Sequence, residues 1–157
     1  MMMKLDNAEE IAVPIARVFE EVSDFPRLER GAVRRGAEVT RTDDLAGPCA
    51  GMTWQVRITL AGRRRDLTLR LLEHAPPDAI LIAADSADIE ARMRVALTAL
   101  APARTRIGVT LDVAPRTLAG RLLLKSVRLA GRNLEARFRK GVANYALDVE
   151  DRAARPG

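Results

Sequence analysis

The sequence predicts one α+β domain in which a long C-terminal helix crosses a curved antiparallel sheet. Three observations carry that expectation. Apolar and polar residues alternate through the middle of the chain, apolar residues recur every three or four positions through its last third, and 48% of the 157 residues are hydrophobic, enough for one core. A domain of this length buries about 68–70% of the surface its unfolded chain would expose, so no disulfide or metal is needed to support it. The domain is expected over residues 1–150, with 151–157 as a short tail.

The first element is a short strand over Ala8–Val13, followed by Pro14 at a position where the first helical residue is commonly proline. Ile15, Val18, Phe19 and Val22 then recur at i, i+3, i+4, i+7 and form one apolar stripe. Ser23-Asp24 ends this helix, and Asp24 can cap a second short helix starting at Pro26 and leaving through Gly31 and Gly36. Beyond Gly36 the period becomes two. Trp54, Val56, Ile58 and Leu60 alternate with Gln55, Arg57 and Thr59, and after a bend at Ala61-Gly62-Arg63 the pattern resumes with Leu67, Leu69 and Leu71. Pro76-Pro77-Asp78 turns the chain into Ile80-Leu81-Ile82. Two further strands follow, Ile89 to Ala99 and Ile107 to Val113, separated by Ala101-Pro102-Ala103. One wet face and one dry face indicate an antiparallel meander, because buried parallel strands would be apolar on both.

From Pro115 to Ala146 the spacing of Leu123, Val127, Ala130, Leu134, Phe138, Val142 and Tyr145 predicts one long amphipathic helix. At 1.5 Å per residue it spans about 45 Å, against about 33 Å for a ten-residue strand, so it must cross the whole sheet. Its apolar stripe and the dry sheet face cover each other. Gly120, Gly131 and Gly141 interrupt this helix, each at about 1 kcal/mol relative to alanine. Close packing on the sheet explains such glycines, and so does a thinned lid over a ligand space.

Charge is unevenly placed. The chain holds 26 Lys and Arg against 21 Asp and Glu, a net charge of +5, and residues 115–157 hold ten of the cations against four of the anions. Arg121, Lys125, Arg128 and Arg132 share one stripe of the long helix, together with Arg139 and broken by Glu135. That face is either a solvated surface or a docking site for an acidic protein, an RNA surface or anionic lipid. With five aromatics in total, little is left for base stacking. The single Cys49 cannot form an internal bridge, and because His74 is the only histidine there is no His/Cys cluster, so neither the usual zinc spacings nor a His-based triad is expected. No metal site and no cofactor are expected. The N-terminus lacks a leader-like apolar run and no stretch reaches membrane-spanning length, so a cytoplasmic protein is expected.

The segment Ile11-x-Val13-Pro14-Ile15-Ala16-x-Val18-Phe19-x-x-Val22-Ser23-Asp24-Phe25-Pro26 resembles the opening of the START/Bet v 1-like superfamily, in its bacterial polyketide cyclase/dehydrase and lipid-transport branch. Gly51-Met52-x-Trp54, the hairpin after it, and Glu73-x-x-Pro76-Pro77 are similar to that family as well, and Leu28-Glu29 stands where many of its members carry an aromatic. The resemblance implies a helix-grip fold with a deep cavity between long helix and sheet. It also implies an apolar ligand such as a lipid, quinone or polyketide, with cyclisation or dehydration catalysed in some members. Fold alone does not choose among these activities.

The alternation places Trp54, Val56, Ile58, Leu69 and Leu71 on the inward face of the first hairpin, and Ile82, Met93, Val95, Leu97 and Val109 on that of the following strands. Leu123, Val127, Leu134 and Phe138 face them from the helix, and together these residues are the expected ligand contacts. None is an acid, base or nucleophile, which favours holding a molecule over transforming it. Two residues could supply chemistry. Glu73 is in phase with Leu67, Leu69 and Leu71, so it either points at the cavity rim as a desolvated general acid or ends its strand in water. Tyr145 either offers its hydroxyl to a bound carbonyl or packs with its tip in water. His74 falls in the opposite phase and is expected to point away from the cavity. The leading reading is a binding or carrier module. A cyclase/dehydratase-type enzyme and a partner-docking protein are its alternatives.

Overall fold

The computed structural model of the chain describes residues 2–60, 62–130 and 133–155. β1 (Met3–Ile11) leads through Pro14 into α1 (Ile15–Val22) and α2 (Phe25–Arg34). A meander follows: β2 (Glu38–Arg41), β3 (Thr53–Leu60), β4 (Arg63–Ala75), β5 (Ala79–Asp85), β6 (Ile89–Ala101) and β7 (Arg104–Pro115). Two helices, α3 (Leu118–Ala130) and α4 (Leu134–Ala154), complete the chain. The strands form one seven-stranded sheet in the order β1-β7-β6-β5-β4-β3-β2, each pair antiparallel. β1 and β2 are therefore opposite edges, and α1 and α2 carry the chain from one to the other.

Local chemistry sets these boundaries. Asp24 caps α2 by accepting a hydrogen bond from the Arg27 N–H at 3.2 Å, as its position before Pro26 predicts. Gly36 adopts φ of 97°, a conformation that a side chain resists, and there the chain turns from α2 into β2. The first strand starts at Met3, well before the expected Ala8, because its whole length pairs with β7 from Met3 opposite Val113 to Ile11 opposite Thr105.

Three expectations require correction. The single long helix is two helices, with Asn133 at the N-cap of α4; Gly131 and Arg132 lie outside the described residues. The expected tail is helical as far as Ala154, and Arg152 ties it to α1 by donating to Glu21 at 2.7 Å. The period of two fails at Leu72, where a bulge shifts the β4–β5 register so that Leu71 faces Ile82 but Glu73 faces Leu81, and the β6–β7 register shifts again between Ala99 and Ala101.

The core is divided in two. Beneath α1, α2 and the second half of α4, Ile11, Val18, Phe19, Leu71, Ile80, Ile107 and Val149 form the main cluster. Beneath α3, Leu123 and Leu124 pack on Met3, Ile89, Ala91 and Val113 in a separate one. Gly120 makes that second contact possible, since a Cβ there would lie 2.0 Å from the Asp88 carbonyl oxygen. Close packing thus accounts for this glycine. Thr117 anchors the same corner, donating its hydroxyl to Asp88 at 2.8 Å and accepting from the Gly120 N–H at 3.0 Å.

Candidate functional site: a cavity under the last helix

On the inner sheet face, pairing sets Ile80 against Val95, Val95 against Val109 and Ile82 against Met93, so branched and long apolar side chains stand in adjacent rows. Above them α4 presents Phe138, Gly141, Val142 and Tyr145, and a cavity of about 490 Å³ separates helix from sheet. Small-molecule sites commonly measure about 300–1,000 Å³ and are mainly apolar. Val22 of α1 and Leu28 of α2 also line the space, and its exposed lining residues Leu28, Arg35, Asn144 and Asp148 mark where it opens between α2 and α4. The cavity exists because the first half of α4 rests on the β1 edge of the sheet, with the Arg139 carbonyl accepting from Asn7 at 3.4 Å and Leu134 against the α3 cluster, while only its second half enters the main core. Ala146 and Val149 are buried in the core, whereas an added Cβ on Gly141 would meet nothing within 4 Å. A larger hollow of about 650 Å³ runs along β1, but Lys4, Asp6, Arg94, Arg106, Glu135 and Arg139 give it a charged lining.

Polar groups at the cavity are few and specific. The Tyr145 hydroxyl is buried and has no hydrogen-bond partner among the described residues, and burial pushes its pKa up to about 12 against the opposing effect of Arg152. The hydroxyl is therefore a neutral donor at any physiological pH. The Arg152 guanidinium carbon lies 5.9 Å from the Tyr145 ring centroid. Its Nε donates to Glu21, while its buried Nη2 has no partner among the described residues. Glu21 is buried between Arg152 and Arg17, the latter at 2.9 Å, and so joins α1 to α4. An unsatisfied buried hydroxyl costs about 1–3 kcal/mol, which a hydrogen bond from it to a ligand oxygen would recover once the Tyr145 side chain turns to expose it.

The fold recurs among solved structures. The Zhui aromatase/cyclase from Streptomyces sp. R1128 superposes with a TM-score of 0.69 at 17% identity, covering 99% of this chain and 97% of its own. Truncated norcoclaurine synthase from Thalictrum flavum gives 0.70 at 8% identity, covering 100% and 96%. A START superfamily protein from Mycobacterium smegmatis gives 0.54 at 17%, covering 85% and 95%. The fold is the helix-grip fold that these structures share. No protein-family model matches the sequence, and neither does any curated protein.

Within this helix-grip domain the expected ligand contacts separate into two groups. Ile82, Met93, Val95, Val109 and Phe138 line the cavity. Trp54, Leu71 and Leu97 are buried in the main core, with Val56 and Leu69 packed on it, so alternation places them on the correct face but away from the space. Ile58 is half-buried and joins neither cluster. Leu123 is buried beneath α3 with Val127 and Leu134 against it, remote from the lining. Trp54 instead pins α2 to β3, donating its indole N–H to Glu29 at 2.6 Å with its ring 5.4 Å from that of Phe25.

The bulge at Leu72 exchanges the two neighbouring candidates. Glu73 faces outward, 43% exposed and paired with Arg94 at 3.4 Å, so it does not reach the cavity. His74 turns inward opposite Ile80, shares a hydrogen bond of 3.1 Å with Ser23 Oγ and lies 5.0 Å from the Phe19 ring. Burial lowers its pKa and favours neutral imidazole. His74 and Ser23 do not line the cavity, and they hold α1 to β4. Sequence reasoning missed Val22, Leu28, Arg35, Asn144 and Asp148 as lining residues. Only the helical spacing of Val22 with Ile15, Val18 and Phe19 signalled one of them. Arg121, Lys125 and Arg128 are exposed on α3, while Arg132 lies outside the described residues.

Proposed function

We propose that this domain holds a small, largely apolar molecule of lipid, quinone or polyketide-like chemistry in the cavity under α4, as a binding or carrier module. The observation that carries the reading is a ligand-sized space whose sheet side is wholly apolar, closed by a helix that bears one unsatisfied buried hydroxyl. The ligand therefore combines an apolar body with a hydrogen-bond acceptor, such as a carbonyl oxygen, directed at Tyr145. Holding is favoured over transformation because neither Glu73 nor His74 reaches the space, the charged lining residues Arg35 and Asp148 are exposed at its mouth, and Tyr145 keeps its proton, whereas general acid–base work requires a group that exchanges one with the reacting atom. No helix among the described residues is long and apolar enough to cross a membrane, and a cytoplasmic site of action belongs to the same proposal.

A cyclase/dehydratase-type activity is the second reading, favoured by the position of the Tyr145 hydroxyl and by the enzyme names of two structural neighbours. Native mass spectrometry of freshly purified protein, followed by organic extraction, tests both. A discrete adduct recovered unchanged after prolonged incubation, and retained less well by Tyr145→Phe, is the expected result. An adduct that loses water or cyclises on incubation with wild-type protein, but not with Tyr145→Phe, would replace the carrier by the enzyme. A bare protein that also takes up no quinone or fatty acid probe would overturn both.

A further inference from the structure

The helix α3 carries leucines on two opposite sides. Leu123 and Leu124 are buried on the sheet, yet Leu118, Leu122 and Leu129 are 73%, 60% and 75% exposed. At about 100° per residue the exposed three fall within about 40° of one another, on the side opposite the buried pair. They form a ridge that points directly away from the protein body, and packing within the fold does not account for it. Arg121, Lys125 and Arg128 lie along one flank of this ridge, about 20–80° from Leu118. All three cations are exposed, and none forms an ion pair with a described residue.

We propose that the outer face of α3 docks on the surface of an anionic lipid bilayer, with the leucine ridge entering the headgroup–acyl boundary and the three cations meeting lipid phosphates. Each part of the pattern needs this partner. Exposed leucines gain from transfer out of water, and long basic side chains beside them can extend to the headgroup level while their stems stay apolar. Nucleic acid would engage the cations but leave the ridge in water, because phosphates offer leucine nothing. A second copy of the chain would cover the ridge, but would bring two rows of like charge together. This surface does not depend on the cavity reading, although a carrier of an apolar molecule would gain access there to the phase in which such a molecule resides.

The test is co-sedimentation of the full chain with vesicles of phosphatidylcholine alone and of equal parts phosphatidylcholine and phosphatidylglycerol. Wild-type protein is expected to sediment with the mixed vesicles and to remain largely free of the neutral ones, with the bound fraction falling as salt rises. The variant Leu118→Ser/Leu122→Ser/Leu129→Ser is expected to lose at least tenfold in partitioning while keeping its thermal unfolding transition, because the altered residues are exposed. Arg121→Glu/Arg128→Glu is expected to abolish the preference for anionic vesicles. The proposal is overturned if wild-type protein stays in the supernatant with both vesicles, or if it binds both equally. It is also overturned if the leucine variant sediments like wild type, or if the same leucines prove instead to hold a dimer apart from any lipid in analytical ultracentrifugation.

Discussion

The two C-terminal helices close the same sheet face in opposite ways. Under α3 the sheet sets Ala84 and Ala91 among the larger Met3, Ile89 and Val113, and Gly120 removes the last obstacle, so Leu123 and Leu124 sink in and the helix packs flat. Under the first half of α4 the sheet offers Ile82, Met93 and Val95, and the helix answers with Gly141 and half-buried Phe138, so a cavity of about 490 Å³ is left. The difference lies in complementarity of size, and hydrophobicity alone does not reveal it. Small against large packs, whereas large side chains opposite a glycine leave room for a guest.

The contrast can be broken first at its tightest point. Gly120→Val would drive side-chain atoms into the Asp88 carbonyl, and a loss of about 3 kcal/mol or more is expected in urea denaturation, with α3 detached. Truncations should then rank by region. Leu124→Ala, in the packed half, is expected to cost about 2–5 kcal/mol, whereas Met93→Ala, beside an existing void, should cost less than about 1.5 kcal/mol. Equal losses would mean that the cavity is closed in solution. Gly141→Leu sharpens the same comparison from the other side. It should leave stability unchanged or raise it by up to about 1 kcal/mol, while lowering retention of a cavity-bound ligand at least tenfold.

The smallest effect concerns pH. With its pKa lowered by burial, His74 is neutral in the folded chain over a range where the unfolded chain already binds a proton. Its contribution is therefore complete above the ordinary histidine pKa and is lost as pH falls below it towards the folded-state value. As the only histidine in the chain, it can be followed without interference, and His74→Gln should flatten this limb of the stability profile. A limb that persists in the variant would assign it to carboxylates.

The architecture was legible in the sequence because period two, period 3.6, Pro14 and the Asp24 cap each act locally, and each survives in the fold. What was not legible is non-local. One extra residue at Leu72 reverses which of Glu73 and His74 faces inward, and nothing in the alternation before it announces the slip. The inner face could be read from the spacing of Trp54, Leu71 and Met93. Which part of that face would be filled and which left open depends on what each helix sets against it. Leu28 and Arg35 reach the opening only because α2 returns over the sheet, a tertiary fact with no periodic signature.

Trp54 is the only tryptophan, and its indole N–H is held by Glu29, one residue from Leu28 at the cavity opening. Excited indole is sensitive to the charge and polarity around it, so light emitted by this one side chain reports whether α2 is seated. Displacement of α2 by an entering guest would separate the indole from the carboxylate and from Phe25, shifting the emission to longer wavelength. Glu29→Gln should reproduce part of that shift in the empty protein. Any movement of α2 that accompanies the entry of a guest can thus be followed in real time on the unlabelled chain.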